Sequence, residues 1–128
     1  MSMRTEKTVL DKLSESKFKA SIVLLIVNGK VEEALELLSE HYYVLVPRLK
    51  VGLPARHRKN TLGCYVAKNQ TIHVLNSDVF KEPFVILHEF YHHLRTSVDK
   101  KHKGTEAYAN SFAKDFIETY RSAGTRLS

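Results

Sequence analysis

Apolar and polar positions in the first third of the chain repeat with helical periodicity. Three segments show it, at residues 5–13, 16–27 and 31–40, and the second is wholly apolar over residues 22–27. Asn28-Gly29 follows that run, and glycine readily takes the left-handed conformation that ends many helices. The pattern therefore predicts three N-terminal helices, with the second at the centre of the core.

The middle of the chain changes to short runs of β-branched and aromatic residues. These runs are residues 42–46, 62–66 and 71–75, and the last two are separated by the polar tetrapeptide Ala67-Lys68-Asn69-Gln70. Such runs predict three short strands in a mostly antiparallel sheet, two of them joined as a hairpin. His73 alternates with Ile72 and Val74, so we expect a surface or edge-strand histidine and not a metal ligand.

Helical periodicity returns at Pro83, a residue suited to the first position of a helix. The helix is expected over residues 83–96, with an inner stripe of Phe84, Leu87, Tyr91 and Leu94. A last helix begins near Thr105, and its inner stripe consists of Ala109, Phe112, Ala113, Phe116, Ile117 and Tyr120. The chain is thus predicted to be one α+β domain over residues 1–128, helical at 1–41, with strands at 42–76 and two further helices at 80–122.

Composition and charge exclude few classes of function. The 128 residues carry a net charge of +6, and one cluster holds six basic side chains: Arg48, Lys50, Arg56, His57, Arg58 and Lys59. This charge leaves contact with DNA open. No aromatic residue between Pro47 and Asn60 could stack on bases, however, so a solvated loop is the preferred interpretation.

Two features bear on the cellular compartment and on the kind of metal site. Cys64 is the one cysteine, which excludes an internal disulfide framework and any Cys₄ or Cys₂His₂ zinc site. We expect it to be a small buried hydrophobic side chain. The N-terminus is polar and the apolar run at 22–27 is too short to span a membrane, so we expect a cytoplasmic protein without membrane contact.

The segment His88-Glu89-Phe90-Tyr91-His92 carries the chemistry of the chain. Histidines four residues apart lie on one face of a helix and can bind one ion. Two imidazoles, a third protein ligand and a water form a common coordination shell for Zn²⁺. Glu89 would stand beside that water as the general base, as in H-E-x-x-H metallopeptidases. The alternative is a half-buried helix with a polar border and no metal.

Two residues compete to be the third ligand. Glu106 continues the inner stripe of the last helix by one turn, where its charge would need compensation, and Asn110 one turn later could hold it in place. His102 lies in a lysine-rich polar stretch with nothing to orient it, so Glu106 is favoured. Donors to a developing oxyanion could come from Tyr91, Tyr108 or His93, but a packing or surface position is the favoured interpretation for each of them.

Two pieces of the sequence resemble a known family. They are the octapeptides that begin at Leu87 and at Glu106, the second reading Glu-Ala-Tyr-Ala-Asn-Ser-Phe-Ala, and together they look like the ImmA/IrrE group of small gluzincin metallopeptidases. The resemblance implies a zincin-like fold and a zinc peptidase that cleaves repressor-type transcriptional regulators. It also implies a substrate chain laid along an edge strand beside the metal helix, here residues 71–75.

A binding module is the competing hypothesis. A basic protein of this size could contact DNA or a partner regulator, with a structural metal or with none. Four protein ligands around the metal would favour that function, whereas an open coordination position would favour a peptidase.

Overall fold

The computed structural model describes residues 2–57, 59–98 and 105–127. Within these ranges the fold is α+β, with four α-helices and one three-stranded sheet. The elements are α1 (Ser2–Val27), α2 (Val31–Tyr42), β1 (Arg48–Val51), β2 (Gly63–Val66), β3 (Thr71–Val74), α3 (Pro83–Val98) and α4 (Thr105–Leu127). Over the same ranges, none of the helices has a stretch of sufficient length and hydropathy to span a bilayer.

The first two predicted helices form a single helix, α1. The prediction placed a break between residues 13 and 16, where the apolar periodicity changes phase. Neither glycine nor proline occurs there, and the side chains of Glu15 and Lys19 lie one turn apart, 3.8 Å from each other. The helix ends as expected, with Gly29 in the left-handed region at φ 80°.

The strand predicted at residues 42–46 is wrong. Helix α2 continues to Tyr42, and Tyr43 ends it in the left-handed conformation at φ 58°. The next backbone N–H, that of Val44, donates to the Ser39 carbonyl 3.0 Å away, which completes the helix cap instead of a sheet ladder. The first strand lies after Pro47, in residues that the sequence assigned to a basic loop.

The sheet has the order β1-β3-β2, so β3 is central. Strands β2 and β3 form the predicted antiparallel hairpin, whereas β1 runs parallel to β3. The sheet is therefore half parallel, not mostly antiparallel. His73 lies in the central strand, where it is buried and its Nδ1–H donates to the Gly52 carbonyl 3.1 Å away, so the predicted surface or edge position is wrong.

The core lies where α1, α2, α3 and α4 enclose one face of the sheet. Its largest fully buried apolar side chains are Ile22, Ile26, Leu35, Leu38, Ile72, Ile86, Leu87, Phe90 and Phe116. Helix α4 buries the predicted stripe, with Ala109, Ala113 and Phe116 innermost. These contacts fix the position of α4 against α3, and the beginning of α4 carries Glu106.

Helix α3 buries only part of the predicted stripe: Leu87 is in the core and Leu94 packs against it. Ile86, Leu87, Phe90 and His93 are fully buried, whereas Phe84 is exposed. The helix packs against β2 and β3 as well as α4, so more than one stripe of its surface is covered. Tyr91 lies on the α4 side, with its ring centroid 5.4 Å from that of Phe112.

Candidate metal site

Three side chains from two helices converge at the predicted site. His88 and His92 lie one turn apart on α3, and their Nε2 atoms are 3.3 Å from each other. Glu106, in the first turn of α4, places its Oε1 2.7 Å from His92 Nε2 and its Oε2 3.3 Å from His88 Nε2. One ligand atom from each residue lies within 4.8 Å of the other two, so this group could hold a metal ion.

Glu106 faces the histidines but is not buried as the sequence pattern predicted. Its side chain is 57% exposed, because it stands at the open end of α4, one turn before the buried Ala109. The charge is therefore partly solvated even without a cation. Glu106 is identified as the third donor because its carboxylate lies close to both imidazoles, and not because it is buried.

Asn110 orients His88, whereas the sequence suggested that it would hold Glu106. Its Oδ1 lies 2.9 Å from His88 Nδ1, which therefore carries the proton and donates it. This hydrogen bond turns Nε2 of His88 toward His92 and Glu106. Burial also lowers the pKa of His92, which favours the neutral imidazole that binds a metal. The donor set thus fits a divalent cation.

Replacing Asn110 by alanine should weaken Zn²⁺ binding about 10- to 100-fold, because the His88 ring loses the acceptor that fixes its orientation. Competition against a chromophoric chelator measures the affinity. Asn110→Asp keeps an oxygen acceptor at the same position and serves as the matched control, with affinity close to that of the unchanged protein. Equal affinities for all three proteins would show that Asn110 does not orient a ligand.

Glu89 lies beside the three donors and is 8% exposed. One carboxylate oxygen is 4.0 Å from His88 Nε2, and the carboxylate accepts a hydrogen bond from the backbone N–H of Tyr65 on β2. Burial, and secondarily the charge of Glu106, raises the pKa of Glu89 to about 7, although the Tyr65 N–H opposes the shift. A carboxyl group with a pKa near neutrality is suited to accept and return a proton.

The free energy of unfolding of the metal-free protein should fall as the pH rises, because the pKa of Glu89 is raised in the folded state. Its folded-state pKa of about 7 exceeds the ordinary 4.5, so its contribution is complete below about pH 4.5 and disappears as the pH rises through 7. At 1.36 kcal/mol per pKa unit, the loss is roughly 3 kcal/mol. Denaturant unfolding at pH 4.5 and pH 8 measures this change. Between these two pH values, the free energy of unfolding of Glu89→Gln should rise by about this much relative to that of the unchanged protein. A difference independent of pH would contradict the raised pKa.

The donors and Glu89 line one wall of an open cleft of about 380 Å³, and β2 lines the opposite wall. The β2 residues are Gly63, Cys64 and Tyr65, and Thr96 of α3 closes one end. Cys64 is half-buried at this wall, so the expectation of a buried hydrophobic side chain is wrong. Sequence reasoning missed Gly63 and Tyr65, since no spacing rule relates a strand to a helix that follows it. It also missed Thr96, although Thr96 lies one turn after His92 on α3.

Gly63 allows β2 to approach the metal helix closely. A Cβ atom at this position would lie 2.6 Å from Cγ1 of Val85 and 3.4 Å from Cγ of Glu89. Gly63→Ala should therefore destabilise the fold by about 1–3 kcal/mol through overpacking, as measured by denaturant unfolding. Gly124→Ala is the matched control, because a Cβ there meets nothing within 4 Å. It should be neutral or stabilising, and equal effects of the two changes would contradict the close approach.

The three residues suggested as oxyanion donors do not line the cleft. His93 is fully buried, so its suggested role is wrong: its Nε2–H donates to the Leu45 carbonyl at 2.6 Å, and its Nδ1 accepts from the Tyr65 hydroxyl at 2.8 Å. Tyr91 packs between His92 and Phe112. Tyr108 is largely exposed. The alternative ligand His102 and the basic residue Arg58 lie outside the described residues.

Comparison with protein-family models, with curated proteins and with solved structures finds no match to this chain.

Proposed function

We propose that this protein is a zinc-dependent peptidase of the zincin-like, gluzincin type. One observation carries the proposal: two imidazoles and a carboxylate from successive helices converge, with a buried glutamate beside them in the same open cleft. His₂Glu is a known catalytic zinc set, and its three protein ligands leave a coordination position for water. The similarity of the two octapeptides to the ImmA/IrrE group supports the same assignment.

His88, His92 and Glu106 would hold the ion. When bound, Zn²⁺ supplies Lewis acidity toward water and toward a peptide carbonyl. Glu89 accepts the proton of the attacking water and returns it to the leaving amine, a role for which its raised pKa is suited. The Tyr65 N–H and the packing around Glu89 keep the carboxylate beside the donors, while Asn110 keeps His88 turned toward them.

The substrate would be a segment of a protein, and a transcriptional regulator is the class that the resemblance implies. The sequence placed it along residues 71–75, but that strand is central and paired on both sides, so the placement is wrong. Strand β2 is an edge strand and lines the cleft opposite the donors. An extended chain bound along β2 would place a peptide bond between the edge and Glu89.

The decisive experiment combines metal analysis with an unbiased assay of hydrolysis. The protein is stripped with a chelator, reloaded with one equivalent of Zn²⁺ and incubated with a mixture of peptides, whose products are identified by mass spectrometry. We expect cleavage only by the loaded protein, and none by His92→Ala. Binding of one zinc ion without hydrolysis of any peptide would exclude the proposed activity and favour the binding module.

One structural observation favours the competing hypothesis, a DNA-binding module. Arg48 and Lys50 lie on β1, the edge strand away from β2, and Arg56 and Lys59 lie in the segment that follows β1; all four are exposed. Cationic side chains on one edge attract nucleic acid through its phosphates. If this surface binds DNA, affinity should fall steeply with salt, and Arg48→Glu with Lys50→Glu should abolish binding without changing hydrolysis.

A further inference from the structure

A second and larger cavity lies beside the metal cleft. It has a volume of about 670 Å³ and extends from the end of β2 toward the segment that follows α2. Tyr65, Ala67 and Thr96 line both this cavity and the metal cleft, so the two spaces are adjoining parts of one depression. A chain bound along β2 would therefore pass its mouth.

The outer wall of the cavity carries unusually exposed apolar side chains. Tyr43 is 94% exposed and Leu45 is 73% exposed, the two highest values among large hydrophobic residues in the described part of the chain. Both line the cavity. Exposed apolar side chains that cluster at a concave surface are typical of a binding site.

The wall is held in place by hydrogen bonds to the metal helix and to β2. The Leu45 carbonyl can only accept, so His93 Nε2 carries the proton of that 2.6 Å bond. The other ring nitrogen of His93, Nδ1, lies 2.8 Å from the Tyr65 hydroxyl, so the same histidine links the wall to β2. Because these contacts tie the backbone of the wall to α3, the cavity is preformed and its side chains can be changed without disturbing the tether.

The lining of the cavity also indicates the kind of side chain that would enter it. Aromatic rings and aliphatic groups form most of the wall, and among the lining residues that the structure describes none is acidic and Lys68 is the one with a charge. Apolar surface of this kind favours a large hydrophobic occupant. The alternative occupant is a carboxylate attracted by Lys68, and an experiment must distinguish it from a hydrophobic side chain.

We propose that this cavity binds a large aliphatic or aromatic side chain of the substrate, close to the peptide bond that is cleaved. The inference rests on the proposed function, because the occupant belongs to the chain that passes the metal cleft. It assigns the sequence preference of the site to Tyr43 and Leu45, residues that line this cavity and not the metal cleft.

Binding can be measured without catalysis. N-acetylphenylalaninamide and N-acetylleucinamide, titrated into ¹⁵N-labelled, zinc-loaded protein, should shift the amide resonances of Leu45, Ala67 and Thr96. N-acetylalaninamide should bind about tenfold more weakly, since it buries less apolar area. The absence of shifts at these residues, or stronger binding of N-acetylaspartamide, would overturn the proposal.

Substitutions in the wall provide the second measurement. Leu45→Asp should weaken the binding of N-acetylphenylalaninamide about tenfold, because it replaces an apolar contact with a charge. Leu10→Asp is the matched control, since Leu10 is also a highly exposed leucine but lies on α1. It should leave binding unchanged. Thermal melting verifies that each variant is folded, and equal binding by Leu45→Asp and the unchanged protein would refute the site.

The peptide mixture separates this proposal from the proposed function. No cleavage at all would contradict the peptidase, whereas the amide titration would still decide whether the cavity binds apolar groups. Cleavage with a large hydrophobic residue at one fixed position, weakened in Leu45→Asp, supports both proposals. Cleavage without such a preference would leave the peptidase standing and overturn the assignment of the cavity.

Discussion

Replacing Glu89 by glutamine should lower the rate of peptide hydrolysis about 10²- to 10⁴-fold while zinc binding remains. The amide preserves the size of the side chain but cannot accept the proton of the attacking water. Glu89 is not among the three convergent donors, so the metal affinity should change little. Single-turnover rates on a peptide identified from the mixture, together with zinc stoichiometry, measure both effects.

Glu118→Gln is the control for this experiment, because Glu118 is an exposed glutamate on α4. It should retain full activity. If Glu89→Gln also retained activity, Glu89 would not be the base, and another group would have to accept the proton. If Glu89→Gln lost zinc as well as activity, Glu89 would belong to the metal site and its assignment would change.

Replacing Glu106 by alanine should lower Zn²⁺ affinity by more than the 10- to 100-fold expected for an outer residue such as Asn110. The change removes one of three direct donors and leaves only the two imidazoles of α3. Because the Glu106 side chain is 57% exposed, the substitution should leave the free energy of unfolding of the metal-free protein nearly unchanged. Chelator competition and denaturant unfolding test the two expectations separately.

The matched control is Glu118→Ala, an exposed glutamate on the same helix. It should leave zinc affinity unchanged. Equal affinities for Glu106→Ala and Glu118→Ala would remove Glu106 from the ligand set and direct the search to His102. His102→Ala would then be expected to lose the metal.

Local periodicity accounts for what the sequence predicted correctly. Pro83 begins α3, Gly29 follows the end of α1, and α4 buries its predicted stripe, because each of these features depends on neighbours within a few turns. The pairing of His88 with His92 follows from the geometry of one helix. The position of Glu106 beside the two histidines was predicted from the inner stripe of α4, although the exposure of the Glu106 side chain was not.

The errors arose where a helix cap takes residues with the composition of a strand, and where the structure depends on contacts distant in the chain. The segment at 42–46 has the composition of a strand, but Val44 completes the cap of α2, and Arg48–Val51 takes the place beside β3. That parallel pairing puts His73 at the centre of the sheet, which its alternation with apolar neighbours could not reveal. Tyr65 entered the site by the same route, through the packing of β2 against α3.

Under the proposed function, the shortness of β2 would also limit which targets can be cleaved. Four residues of edge strand span about 13 Å at 3.3 Å per residue. A chain bound there must be extended over that length with its main-chain groups unpaired, a condition that the interior of a helix or a completed sheet does not meet. Under the proposed function, the enzyme would therefore cut at interdomain linkers and unfolded tails, and a target could be protected simply by folding the segment that contains its cleavage point.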